Sequence, residues 1–214
     1  MKSFRPIQTI LCACLFMPSV SAENAQEEFD RSWRFPAIAI PRLGTPPLID
    51  GAVTDDVWQR ATLFPALLSR DPLAGDGAPP RERTWIWMGY TADAVYWAFR
   101  QDLPPEEMPV KATVVDRRDG AEGRDNTVNI QFSTSPKSKW EQFNISGNAA
   151  SQIYDRRFDD GSGKYWNPNI EYRSQKKESG WEGEMKIPFS ELGLATAPGE
   201  GTEWNCYFYS AWRK

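Results

Sequence analysis

The stretch Gly180-Trp-Glu-Gly-Glu-Met-Lys-Ile-Pro-Phe-Ser-Glu-Leu-Gly193 constrains the fold of this chain more than any other. Trp181, Gly183, Met185 and Ile187 share one parity, while Glu182, Glu184 and Lys186 share the other. A period of two predicts a strand with one buried and one polar face. Pro188 has no N–H to give to a ladder, so pairing is expected to end there. Ser190 to Gly193 then reads as a single helical turn closed by glycine.

Other stretches fit beside this one. Arg83 to Tyr90 and Val95 to Gln101 read as a hairpin turning over Thr91-Ala-Asp-Ala94. Both are apolar on both parities and are expected to be central. Thr127 to Ser133 alternates cleanly, with Val128, Ile130 and Phe132 inward and Asn129 and Gln131 outward. Trp140 to Ser146 repeats the pattern, with Phe143 and Ile145 inward and Asn144 and Ser146 outward. Trp204 to Trp212 closes the chain as an aromatic strand, in which Cys206 reads as a small buried hydrophobe.

Helix signals are few. Thr54 is a candidate cap for a short helix with Val57, Trp58 and Ala61 on its apolar side. Arg70 to Arg81, Asp116 to Asp125 and Asp155 to Lys164 read as loops, and Val110 to Val115 as a short strand. Short strands with Pro and Gly punctuation indicate an all-β fold. The expectation is an antiparallel β-sandwich, jelly-roll or immunoglobulin-like, with one or two short helical turns.

The first residues read as a secretory signal: Lys2 and Arg5, an apolar run from Ile7 to Met17, then Ser19-Val-Ser-Ala22. The expected organisation is 1–22 signal peptide, 23–40 lead-in and 41–214 sandwich. This predicts an exported protein, periplasmic or extracellular, with no transmembrane segment after cleavage. Without Lys2 and Arg5 the formal charge moves from −4 to −6, which argues against nucleic acid. The chain has no histidine. That excludes His-dependent nucleophile systems, histidine-ligated zinc and histidine-ligated haem.

Thr45-Pro-Pro-Leu-Ile-Asp-Gly with Asp56-Val-Trp58 is followed in order by Val95 to Asp102, Asp125 to Ile130, Gly180-Trp181, Glu184 with Ile187-Pro-Phe189, and Asn205. Together these pieces resemble the family 9 carbohydrate-binding modules and the wider superfamily that includes DOMON domains. The resemblance implies a non-catalytic sandwich that binds sugar on one open face, often with calcium. Carried over, the polar contacts fall on Asn129, Asn144, Ser146 and Tyr207, and the acidic position on Asp102. The family's first clamp tryptophan falls near Gly123, where this chain has none, and the second beyond Lys214. On that pattern the sandwich is also expected to lack the family's last strand, which leaves an edge needing cover.

Sugars stack their C–H faces on aromatic rings, while amides and hydroxyls pair with their hydroxyl groups. Trp140, which shares parity with Asn144 and Ser146, and Trp166, in a loop, are the candidate platforms. Against this stand tryptophans that merely cap the core, and a solvated sheet face of no special purpose. Trp85, Trp87, Trp97 and Trp181 are assigned to the core. Calcium at Asp102 has as its alternative an ordinary solvated loop acid.

Two further functions stay open: an interaction module of the same fold with a decayed sugar site, binding an envelope protein, and a domain tied to glycoside hydrolysis. Glu182 and Glu184 are paired carboxylates, but they lie side by side on one strand, whereas a catalytic pair flanks the bond. Glu184 is expected instead to meet a buried base or backbone donors.

Overall fold

The computed structural model describes residues 38–64, 83–102, 125–135, 143–158 and 164–211, with the side chains of 164, 165 and 211 excepted. Residues from Ile40 to Lys214 form one compact unit. Its strands are β1 (Thr62–Phe64), β2 (Thr84–Tyr90), β3 (Ala94–Asp102), β4 (Thr127–Ser133) and β5 (Phe143–Asn148), followed by β6 (Ile153–Arg157), β7 (Lys164–Tyr165), β8 (Glu171–Lys177), β9 (Gly180–Pro188) and β10 (Asn205–Ala211). They form two antiparallel sheets, ordered β1-β2-β3-β9-β8 and β10-β4-β5-β6-β7. The all-β sandwich read from the alternation is the observed fold.

The core lies between the sheets. Ile86, Met88, Val95, Trp97, Phe99, Trp181, Met185 and Ile187 come from the first; Val128, Ile130, Phe132, Phe143, Ile145 and Ile153 come from the second. Phe99 and Trp181 meet edge to face at 4.7 Å, a preferred geometry for aromatic pairs. Gln101 is buried in this layer and accepts from the Trp181 indole at 2.8 Å. Its amide nitrogen donates to Ser210 Oγ at 2.6 Å, which ties β3 of one sheet to β10 of the other.

β9 pairs with β3 from Gly180 to Pro188, so the ladder ends at the proline as its missing donor requires. Phe189–Leu192 is a 3-10 turn, capped by Gly193 in the left-handed region at φ 76°. The Gly193 N–H donates to Ser190 O at 3.1 Å.

Several expectations need correction. Glu182 and Glu184 are buried, because the outer face of the first sheet is covered. A second apolar cluster of Leu43, Val53, Val57, Trp58, Ala94, Tyr96 and Ala98 does the covering. The short helix is a 3-10 turn, Asp56–Arg60, and Asp55 holds its N-cap position in place of Thr54. Trp97 and Trp181 are core residues, while Trp85 and Trp87 are half-buried on the covered side. Cys206 is exposed. Asp155, Arg156 and Arg157 belong to β6, and Lys164 to β7, where a loop was expected. The stretch 110–115, Trp140 and most of the loops at 70–81 and 116–125 lie outside the described residues.

Candidate functional site

Because Val128, Ile130, Phe132, Phe143, Ile145 and Ile153 point into the core, the alternate residues of the second sheet face away from it. Strand register then aligns these residues in rows. Tyr207 on β10 pairs with Gln131 on β4, Gln131 with Asn144 on β5, and Asn144 with Arg156 on β6. A second row runs Tyr209, Asn129, Ser146, Tyr154 across the same strands. The four expected polar residues, Asn129, Asn144, Ser146 and Tyr207, therefore share one face.

Their environments differ. Tyr207 is 45% exposed and its ring centroid lies 5.7 Å from that of Tyr209. Gln131 is half-buried and donates to the Tyr209 hydroxyl at 3.4 Å. Asn129 and Ser146 are buried, and Ser146 Oγ donates to Asn129 Oδ1. The Asn129 amide also donates to Thr127 Oγ1 at 3.0 Å and Tyr209 O at 3.3 Å. These two residues brace β4, β5 and β10 against one another, so they form the floor.

Asn144 is half-buried, and its Oδ1 is buried without a hydrogen-bond partner. An unpaired buried acceptor costs about 1–3 kcal/mol.

Three residues of this face were not assigned to it from the sequence. Tyr209 shares the parity of Tyr207 and was legible from the aromatic strand. Tyr154 and Arg156 were hidden by the charged run that follows. The Arg156 guanidinium lies over the Tyr154 ring at 5.0 Å, a cation–π contact.

The expected platforms stand differently. Trp166 is half-buried and packs on Phe143, with ring centroids 4.7 Å apart and planes tilted by 40°. Trp140 lies outside the described residues. Asp102 is exposed at the end of β3. Among the described residues no group of three His, Cys, Asp or Glu side chains is gathered to hold a metal. No helix among the described residues is long and apolar enough to cross a membrane.

The two glutamates sit on the other sheet. Glu184 accepts from the Trp58 indole at 2.7 Å, Gly51 N at 2.9 Å and Asp50 N at 3.1 Å. Burial pushes its carboxyl up to about 7, opposed by these same donors. Glu182 accepts from Arg100 Nε at 2.6 Å and Val53 N at 3.1 Å, and lies 3.4 Å from Lys177 Nζ. The expectation of backbone donors for Glu184 is met.

No protein-family model matches the chain, and no curated protein matches it by sequence. Solved structures do resemble it. One is a family 9 carbohydrate-binding module from Caldicellulosiruptor kristjanssonii in complex with cellotriose, 16% identical, with a TM-score of 0.56 over 81% of this chain and 76% of that one. The same module in complex with glucose gives 0.54 at 16% identity, over 79% and 75%. A Bacteroides uniformis protein to which carbohydrate binding has been ascribed gives 0.61 at 12% identity, over 81% and 82%. The chain thus has a family 9-like sandwich fold.

Proposed function

We propose that this chain is an exported, non-catalytic domain that binds carbohydrate on the outer face of the β10-β4-β5-β6-β7 sheet. The observation that carries the reading is the pair of registered rows, in which Tyr207 and Tyr209 on one side and Arg156 and Tyr154 on the other bracket Gln131, Asn144, Asn129 and Ser146. Rings offer apolar faces to sugar C–H groups, and amides offer both donors and acceptors to hydroxyls. Tyr207 is the exposed stacking surface, while Asn144 and Gln131 make the direct polar contacts. Asn129 and Ser146 hold the floor, and Trp166 supports β5 from the core side.

The similar structures support the reading by what they hold, cellotriose and glucose. The engagement of Glu182 and Glu184 by indole, guanidinium and backbone donors supports a structural role for that pair. The sequence pattern of Lys2 and Arg5, an apolar run from Ile7 to Met17 and small residues at Ser19 to Ala22 supports export. Calorimetry of the folded protein against cellotriose and a panel of soluble oligosaccharides tests the proposal. Binding that weakens in Tyr207→Ala upholds it, and an absence of heat across the panel refutes it.

A second reading has an observation of its own. No tryptophan stands near Gly123, where the resembling family keeps its first clamp residue. A decayed sugar face that contacts an envelope protein fits that absence. Recovery of one defined protein on the immobilised domain, blocked by Tyr207→Ala and not by saccharide, would favour this reading.

A further inference from the structure

The outer face of the first sheet carries rings of its own. Ile86 and Met88 of β2 point into the core, so Trp85 and Trp87 point away from it, and both are half-buried. Leu63 of β1 lies opposite Trp87 and is 45% exposed. The covering cluster around Val57 and Trp58 reaches Trp87 but not Trp85, which packs on neither apolar cluster. Trp58 and Trp181 spend their indole N–H on Glu184 and Gln101. Among the described residues no acceptor meets the indole N–H of Trp85 or Trp87, and no ring stacks on Trp85. Arg100, held by Glu182, lies over the Trp87 ring at 5.9 Å, which leaves Trp85 as the open platform.

Resting on the carbohydrate reading above, we propose that Trp85 and Trp87 form a second saccharide station, on the opposite sheet from Tyr207, for a neutral glucan lying along β2. An indole offers an apolar face to sugar C–H groups and one donor to a hydroxyl oxygen. Alternate residues of a strand stand about 7 Å apart, so two linked sugars reach both side chains. The cation beside the rings is already paired with Glu182, which favours an uncharged ligand. Two half-buried rings and Leu63 expose roughly 300 Å² at most, against about 800 Å² per partner in a stable protein interface. That area suits a short glucan and not a second copy of the chain. With a station on each sheet, one domain holds two glucan chains at once.

The test is calorimetry of the folded protein against cellotriose, with a nitrogen–proton correlation spectrum of the indole N–H groups. The wild type is expected to take up two cellotriose molecules per chain, the second at least tenfold more weakly than the first. Tyr207→Ala is expected to keep the weak event, and the double variant Tyr207→Ala, Trp85→Ala to lose it. The indole signals of Trp85 and Trp87 should move with the weak event, while those of the buried Trp97 and Trp181 stay still. If Trp85→Ala does not fold, the wild-type stoichiometry and these signals decide. One cellotriose per chain, lost in Tyr207→Ala and leaving the Trp85 signal unmoved, overturns this inference and leaves the carbohydrate reading standing. Uptake lost in Trp85→Ala but unchanged in Tyr207→Ala upholds this station and overturns the Tyr207 face. Binding of no saccharide overturns both.

Discussion

The Nε1–H of Trp58 donates to Oε1 of Glu184 at 2.7 Å across 126 residues of sequence. The bond pins the 3-10 turn Asp56–Arg60 onto β9 and closes the outer face of the first sheet. Trp58 is 3% exposed and Glu184 fully buried. Trp58→Phe keeps most of the apolar body but leaves one carboxylate oxygen short of a donor. The expected cost is about 1–3 kcal/mol, read as a lower urea midpoint with an unchanged slope.

Glu184 also predicts how stability depends on pH. Its carboxyl is raised by burial to about 7, above the ordinary value of 4.5. A group raised on folding binds a proton in the folded chain where the unfolded chain has lost it. Its contribution is full below 4.5, falls as pH rises and is gone above about 7. The loss is on the order of 3 kcal/mol, the net of burial against the donors Trp58, Gly51 and Asp50. Urea unfolding at intervals from pH 5 to 8 checks this. In Glu184→Gln the slope across that window should flatten, and an unchanged slope would assign it to other groups.

Gly180 opens β9 where it crosses the end of β3. A Cβ there would lie 2.0 Å from the carbonyl oxygen of Gln101, which is backbone and cannot swing aside. Gly180→Ala is expected to cost more than about 2 kcal/mol through the displaced ladder. Gly199 is exposed, and the nearest atom to its Cβ would be 4.0 Å away. Gly199→Ala should stay within about 0.5 kcal/mol, so thermal melts of the two variants separate the explanations.

Gln101 makes a different prediction, because its amide serves both sheets. It accepts from Trp181 Nε1 and donates to Thr84 Oγ1 at 3.2 Å and Ser210 Oγ at 2.6 Å. Gln101→Leu has a similar shape but leaves the indole N–H without its acceptor. A loss of about 1–3 kcal/mol is expected, together with faster amide exchange in β10. Exchange confined to β2 and β9 would show that the bond to Ser210 does not hold β10 in place.

Much of this architecture was legible because burial on one side imposes a period of two. Val128-Asn-Ile-Gln-Phe132 and Trp181 to Ile187 follow that period, and their inward residues are the core. Pattern gave way where a polar side chain is buried. Asp155 points inward on β6, is fully buried and accepts from Asn167 N at 2.7 Å. A buried carboxylate beside two arginines looks like a loop, so Tyr154 and Arg156 were missed with it. Glu182 and Glu184 misled in the opposite sense. Their alternation was real, but the segment covering them lies about 130 positions away in sequence. The face itself was legible by parity at Asn129, Asn144 and Ser146. Which of them bond each other depends on register across β4 and β5, and a linear pattern does not contain that.

The division between floor and contact residues gives the sharpest prediction about the site. Asn129 is 3% exposed and its amide bonds Thr127, Ser146 and Tyr209, whereas Tyr207 is 45% exposed. Asn129→Ala should therefore destabilise the fold by about 1–3 kcal/mol, because Ser146 Oγ loses its acceptor in a buried position. Tyr207→Ala removes an exposed ring and should change stability by under about 0.5 kcal/mol, yet weaken saccharide binding at least tenfold. Calorimetry and urea unfolding on both variants give two numbers for each. If Tyr207→Ala binds sugar as the wild type does, the β10 side of the face takes no part in recognition. If Asn129→Ala loses affinity without losing stability, its amide reaches the ligand directly and the floor must be redrawn around Ser146.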